Sequence, residues 1–188
     1  MKKLLIIGLG NPGVEYENTR HNIGFKTLDA LASASNVIFK PNRYAQTTNL
    51  KIKGRNLILV KPSTFMNLSG KAVNYYIKNE KVKLENIIVL SDDIALPFGE
   101  IRIRTNGSHG GHNGLKHIFE TIGHSKFNRL RFGVGNTFTK GGQVDYVLGK
   151  WSQDEEELLK ERLDTLIEIL YSFTLNGVTK TMNEFNGK

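Results

Sequence analysis

Apolar residues fall along this chain in two rhythms. Three short, nearly continuous runs, at Lys3–Gly8, Asn56–Val60 and Asn86–Leu90, predict strands buried on both faces. Between them apolar residues return at helical spacing: Ile23, Leu28, Leu31 and Ala32 in one segment, Leu68, Ala72, Tyr75 and Tyr76 in the next. The alternating Glu100–Arg104 segment predicts a more exposed strand, and Asn128–Val134 reads the same way. Ser152 and Glu155 have capping-box spacing. They open a long amphipathic helix with Leu158, Leu159, Leu163, Leu166, Ile167 and Leu170 on one face. A short final helix is expected within Thr179–Lys188. Strands alternating with helices predict an α/β fold with a largely parallel sheet.

With 188 residues and no repeat, low-complexity tract or long linker, the chain is expected to be a single domain over 1–188. Lys and Arg number 26 against 18 Asp and Glu, a formal charge of +8, and the pI is near 9.6. That excess fits a polyanionic partner or a solvated basic surface. The content of 39% hydrophobic and 23% charged residues is that of a globular chain and gives no support to disorder. No apolar run approaches the ~18 residues of a membrane helix, so no membrane partner is expected. The chain has no cysteine, which removes thiol nucleophiles, disulfides and Cys-type zinc sites and fits a cytoplasmic address. Lys2 and Lys3 ahead of Leu4–Leu9 mimic the start of a secretory signal. However, the apolar stretch is too short and runs into Asn11-Pro12-Gly13 without a cleavage site.

Candidate chemistry sits where the apolar runs stop. The first is followed by Asn11, Tyr16 and His21, the second by Phe65-Met66-Asn67, the third by Ser91-Asp92-Asp93. Ligands of open α/β sheets bind outside the carboxyl ends of the strands. If the three strands are parallel, Asn11, Asn67 and Asp92 share one sheet edge. Each alone is an ordinary turn residue, but together with a His they make a candidate site. Gly8–Gly13 also satisfies G-x-G-x-x-G, the dinucleotide fingerprint, which would make the protein a nucleotide-dependent oxidoreductase. Against this, helical spacing starts only near His21, too late for a helix N-terminus to hold a pyrophosphate. Gly107–Gly114 is a second glycine-rich element, carrying His109, His112 and Asn113. No third ligand at a recognised spacing accompanies the two His, so no metal is expected. Arg102, Arg104, Lys116, Arg129, Arg131 and Lys140 surround this element, as a phosphate-binding patch or as scattered solubilising charge.

At these residues the sequence resembles bacterial-type peptidyl-tRNA hydrolases over almost its whole length. The motifs are GLGNPGVEYENTRHNIGF at 8–25, KPSTFMNLSG at 61–70, SDDIALPFGEIR at 91–102 and GSHGGHNGLKHI at 107–118. The resemblance implies a monomeric α/β domain around a mixed sheet. It also implies cofactor-free, metal-independent hydrolysis of the ester joining a peptide to the 3′ ribose of tRNA. By the same resemblance, His21 is the catalytic base and Asp92 the acid that orients it. Asn11, Asn67 and Asn113 are substrate-binding amides, Tyr16 lies near the terminal nucleotide, and Phe65 and Met66 line the peptide cleft. Arg102, Arg104, Arg131 and Lys140 fall where the family contacts tRNA. The chain departs from the family pattern at Ser91, often His, and at Ala95, often Asp.

The residues support that chemistry on their own terms. A His can take a proton from water near neutral pH, and a carboxylate on its other nitrogen fixes the tautomer. With no Cys and no G-x-S-x-G elbow, direct attack by water is simpler than a covalent intermediate. A non-catalytic tRNA- or RNA-binding module is the alternative, and it would need no base with an orienting acid.

Overall fold

The computed structural model describes residues 1–188. Seven strands and six helices follow one another along the chain. They are β1 (Lys2–Gly8), α1 (Ile23–Ala34), β2 (Lys40–Asn42), β3 (Ala45–Ile52), β4 (Arg55–Pro62), α2 (Ser69–Glu80) and β5 (Ile87–Asp93). Then come β6 (Ile101–Arg104), α3 (Asn113–Ile122), β7 (Asn128–Gly133), α4 (Gln143–Val147), α5 (Gln153–Asn176) and α6 (Val178–Phe185). The strands form one sheet in the order β2-β3-β4-β1-β5-β7-β6. The four central strands β4, β1, β5 and β7 are parallel, while β2, β3 and β6 pair antiparallel. The sheet is therefore mixed and largely parallel, as expected.

The continuous apolar runs follow from burial on both faces. Leu4 and Ile6 of β1 pack with Leu28 and Leu31 of α1 and with Leu166 and Leu170 of α5. Leu5 and Ile7, pointing the other way, pack with Val73 and Tyr76 of α2 and Leu115 and Ile118 of α3. Fully burying one such side chain contributes about 1.5–3 kcal/mol. The predicted capping box is formed: Glu155 N donates to Ser152 Oγ at 3.2 Å and Ser152 N to Glu155 Oε1 at 3.4 Å. The final helix is α6, whose neighbour Asn186 satisfies both backbone groups of Ile103 on the edge strand β6.

Several expectations need correction. The strand at 128–134 is not exposed: β7 lies inside the sheet between β5 and β6, and Asn128, Arg129, Leu130 and Phe132 are buried. Leu68 and Leu158 leave their predicted apolar faces for solvent, and Tyr75 is only half-buried. The β2–β3 hairpin was not expected from the pattern, because Gln46-Thr47-Thr48-Asn49 lacks an apolar stripe. An eight-pair ladder with β4 holds β3 in place. The two-residue turn Lys53-Gly54, with φ of 42° and 78°, joins them as hairpin geometry requires.

The first glycine motif has a packing reason. A Cβ on Gly8 would strike the Gly24 carbonyl, and one on Gly24 would strike the backbone of Leu9. These glycines let α1 lie directly against the end of β1. Two 3₁₀ turns, Val14–Tyr16 and Arg20–Asn22, separate the motif from α1, so no helix begins inside the glycines. That geometry is not the pyrophosphate cradle of a dinucleotide site.

Candidate active site

Parallel pairing of β4, β1 and β5 puts their carboxyl ends on one edge of the sheet. Asn11 follows β1, Met66 and Asn67 follow β4, and Asp92 is the penultimate residue of β5. His21 arrives from the Arg20–Asn22 turn, which is pinned on both sides. Arg20 Nη2 donates to Glu155 Oε1 at 2.8 Å, and its guanidinium stacks 4.3 Å from the Tyr146 ring. Asn22, buried, accepts from Asn11 N through Oδ1 and donates to Asn11 O through Nδ2, both at 2.9 Å. The result is a cleft of about 650 Å³ lined by His21, Asp92, Asn11, Asn67, Asn113, Phe65 and Met66.

At its floor, His21 Nδ1 lies 2.8 Å and 2.9 Å from the two Asp92 carboxylate oxygens. A carboxylate only accepts, so the ring proton is on Nδ1 and Nε2 is left with its lone pair. The His21 side chain keeps 12% exposure against 3% for Asp92, enough for water to reach the ring. Burial disfavours the imidazolium, but the Asp92 charge and hydrogen bond outweigh it and the His21 pKa is raised above 6.5. For Asp92, burial favours the neutral acid. The neighbouring His21 and His112 overcome it and hold the carboxyl well below its usual range.

His112 is the residue that sequence reading left out of the site. Its Nε2 donates to Asp92 Oδ1 at 2.9 Å. Its Nδ1 accepts from the N–H groups of Gly114 and Leu115 at 3.1 Å and 3.2 Å, capping α3. Those backbone donors fix the tautomer with the proton on Nε2. The available signal was its place beside Asn113 in the second glycine motif, but its partner is 20 residues upstream. His109, its companion in the motif, also lines the cleft but makes no bond to Asp92; it accepts from Gly111 N and meets the Phe119 ring edge-on.

Ligand atoms of His21, Asp92 and His112 lie within 4.8 Å of one another, a spacing a metal ion could bridge. Both imidazoles, however, aim N–H donors at the same carboxylate. A cation placed there would have to displace both hydrogen bonds, so the donor set fits an orienting network better than a metal centre.

Asn11 is the most constrained of the three predicted amides. Its Oδ1 accepts from Met66 N at 2.7 Å, which leaves Nδ2 as a fixed donor. Asn67 and Asn113 line the cleft with no hydrogen bond from their side chains to the protein. Tyr16 meets Phe65 edge-on with ring centroids 6.3 Å apart, beside the cleft. Asp93, adjacent to Asp92, pairs with Arg131 and accepts from Ala95 N, so it does not compete for His21.

The basic residues divide. Arg104 and Arg131 line the cleft on its β6–β7 side. Arg102, opposite Arg131 in the ladder, is ion-paired with Glu100, and Lys140 is exposed on the loop before α4. Arg129 does not belong to a solvent-facing patch. It is 1% exposed and donates to the carbonyls of Gly107, Ser108 and Ser125, and burial followed by Arg131 pushes its pKa down to about 10. It holds the second glycine motif in place.

The family model for peptidyl-tRNA hydrolase matches residues 5–188. A peptidyl-tRNA hydrolase of Phocaeicola vulgatus is 54% identical over 99% of this chain and all of its own length. One from Bacteroides fragilis is 55% identical with the same coverage. The crystal structure of peptidyl-tRNA hydrolase from Acinetobacter baumannii superposes with a TM-score of 0.92 at 35% identity, covering 98% of this chain and 94% of the other. The likeness runs over nearly the whole chain in both sequence and fold, and the chain belongs to the peptidyl-tRNA hydrolase family.

Proposed function

We propose that this chain hydrolyses the ester between the peptide and the 3′ ribose of peptidyl-tRNA, with His21 as general base and Asp92 as its orienting acid. The observation that carries the reading is His21 Nε2, unpartnered in the cleft while Nδ1–H is tied to Asp92. Water held at Nε2 gives up a proton as its oxygen attacks the ester carbonyl. The tetrahedral intermediate collapses with cleavage of the bond to the 3′ oxygen. His21 returns the proton to that oxygen, freeing tRNA and a peptide acid. Asp92 stabilises the transient imidazolium, and His112 steadies Asp92 through its second bond.

Asn11 Nδ2 is the preferred donor to the oxyanion, because Met66 N already fixes the orientation of its amide. Asn67 and Asn113 can then pair with the peptide backbone, which recognises an acylated chain whatever its side chains. Arg104, Arg131, Arg102 and Lys140 supply positive charge for the tRNA phosphates on the β6–β7 side, with Tyr16 beside the terminal nucleotide. Metal independence rests on the two imidazole N–H bonds at Asp92, which occupy the place a cation would need. One copy of the chain supplies all of these residues, so a monomer suffices for the reaction. No helix is long and apolar enough to cross a membrane, and the substrate belongs to translation, which supports a cytoplasmic enzyme.

The test is release of tRNA from N-acetyl-aminoacyl-tRNA in EDTA, beside His21→Ala. Cleavage by the wild type alone is the expected result. Equal cleavage by both would remove His21 from the mechanism, and intact, bound tRNA with both would favour a binding module.

A further inference from the structure

The strand registers place a second polar–aromatic cluster level with Asp92, on the opposite side from the Arg104–Arg131 flank. Leu90 pairs with Gly8, Ile7 with Val60, and Lys61 with Gln46. Two residues further along, Asp92 is therefore level with Ser63 and with Tyr44, whose carbonyl accepts from Ser63 N at 2.8 Å. Tyr44 thus stands three strands across from Asp92, about 14 Å at the usual strand spacing. Arg131 is one strand away on the other side.

The cluster is built, not incidental. Arg43 and Tyr44 form the tip of the β2–β3 hairpin, with Tyr44 in the left-handed region at φ 58°. Tyr76 donates its hydroxyl to the Arg43 carbonyl at 2.7 Å, anchoring the tip to α2. The Arg43 guanidinium sits 5.2 Å from the Tyr44 ring centre and 5.4 Å from that of Tyr75, and the two rings meet edge-on at 5.6 Å. Lys71 adds positive charge near Tyr44. From Ala30 to Asn79 the sequence holds eight Lys and Arg and not one Asp or Glu, and Glu80, the last residue of α2, is paired with Lys3.

An apolar track joins it to the cleft. Phe65 on the cleft wall is 55% exposed and Leu68 36% exposed. Leu68, Lys71 and Tyr75 then follow at spacings of three and four along one face of α2 and its leading turn. Phosphate backbones do not select exposed Phe and Leu, whereas peptide side chains do.

We infer that the Arg43–Tyr44–Tyr75 cluster is a distal subsite for the peptide portion of the substrate, favouring acidic side chains about four or more residues upstream of the ester. This rests on the reading that the cleft hydrolyses peptidyl-tRNA. The distance follows from the ~14 Å span divided by about 3.3 Å per extended residue. A single aminoacyl group cannot reach the cluster; a hexapeptide can.

The experiment compares two N-acetyl-hexapeptidyl-tRNAs, with Glu or with Lys at the fourth to sixth residues from the ester, each rate divided by that of N-acetyl-aminoacyl-tRNA. The wild type should cleave the Glu substrate roughly two- to fivefold faster than the Lys one, the scale of an exposed ion pair. Arg43→Glu should invert the ratio, and Tyr75→Ala should bring it toward one. A Glu-to-Lys ratio unchanged in Arg43→Glu overturns the inference. So does weaker binding of deacylated tRNA by Arg43→Glu without a change in the ratio, which would make the cluster an RNA contact. Failure of the wild type on all three substrates would sink the hydrolase reading itself, and the subsite with it.

Discussion

Replacing Asp92 by Asn keeps the shape of the site and removes one charge. In the wild type that charge faces His21 through contacts of 2.8 Å and 2.9 Å. With charge centres about 4 Å apart and an effective dielectric near 20, the attraction to an imidazolium is about 4 kcal/mol. That stabilisation matters chiefly when His21 has taken the water proton, so its loss falls on the transition state. At about 1.4 kcal/mol per decade, kcat should drop roughly 10³-fold. The pH profile adds a second readout. In the wild type, burial lowers the His21 pKa while Asp92 raises it further, for a net rise above 6.5. In Asp92→Asn only the burial effect remains, so the pKa falls. Because the base must be unprotonated, the acid limb of kcat/KM should move to lower pH as the plateau drops. The Asp92 carboxyl titrates in the folded protein below its ordinary value of 3.8. Its stabilising contribution is therefore present above 3.8 and is lost only as pH falls from there toward the depressed folded value. An assay between about pH 5 and 8 reports on the His21 titration and not on acid unfolding. Single-turnover release of tRNA from N-acetyl-aminoacyl-tRNA is the measurement. A loss smaller than tenfold, or an acid limb that stays put or moves up, would refute the orienting role of Asp92.

Asn11→Asp keeps an oxygen for Met66 N and deletes the Nδ2 donor. It should lower kcat by at least about 10²-fold with KM little changed; a tenfold rise in KM at unaltered kcat would instead make Asn11 a ground-state binding group. Asn22→Ala removes both hydrogen bonds to the Asn11 backbone. Thermal denaturation should show a loss of about 1–3 kcal/mol, with activity falling alongside. Arg131→Ala and Arg104→Ala should each flatten the log–log salt dependence of tRNA binding, by an amount near one phosphate contact. Arg129→Leu should lower Tm through three unpaired carbonyls and leave that slope alone; a flatter slope at an unchanged Tm would return Arg129 to the tRNA surface. Free aminoacyl-tRNA should be cleaved far more slowly than its acetylated form, and equal rates would argue against recognition of an acylated chain.

The legible parts of the fold were those in which one physical cause dominated the local sequence. β1, β4 and β5 are buried on both faces and appear as unbroken apolar runs, and α5 announces itself through Ser152 and Glu155. Because the three runs pair in parallel, the residues that follow them share an edge, and Asn11, Asn67 and Asp92 were readable as neighbours. β3 was not readable, since a strand of Gln, Thr and Asn, covered on one side only by the three-residue β2, is held by its ladder to β4 and not by its own pattern. Arg129 misled for the opposite reason. A charge on a strand suggests solvent, yet this one is buried because three backbone carbonyls surround it. His112 could be suspected from its motif, but its function as a partner depends on a carboxylate delivered by another strand. The family resemblance supplied the reaction and most of the site residues, while the tautomers and the fixed amide of Asn11 follow only from hydrogen bonds between residues far apart in the chain.

The reciprocal pair between Asn22 and Asn11 joins residues that do different things. Asn22 is the chain neighbour of His21, and Asn11 carries the donor whose other end grips Met66. Three separate loops are thus laced into one frame, and the base cannot drift without dragging the amide donor with it. For anyone evolving the enzyme toward new acyl groups, this divides the cleft into two kinds of position. Single changes at Asn11 or Asn22 should cost most of the activity, and because each amide grips a backbone group of its partner, a second substitution at that partner should not restore it. Exposed Phe65, outside the frame, is where a library can be varied freely and selectivity can be moved one residue at a time.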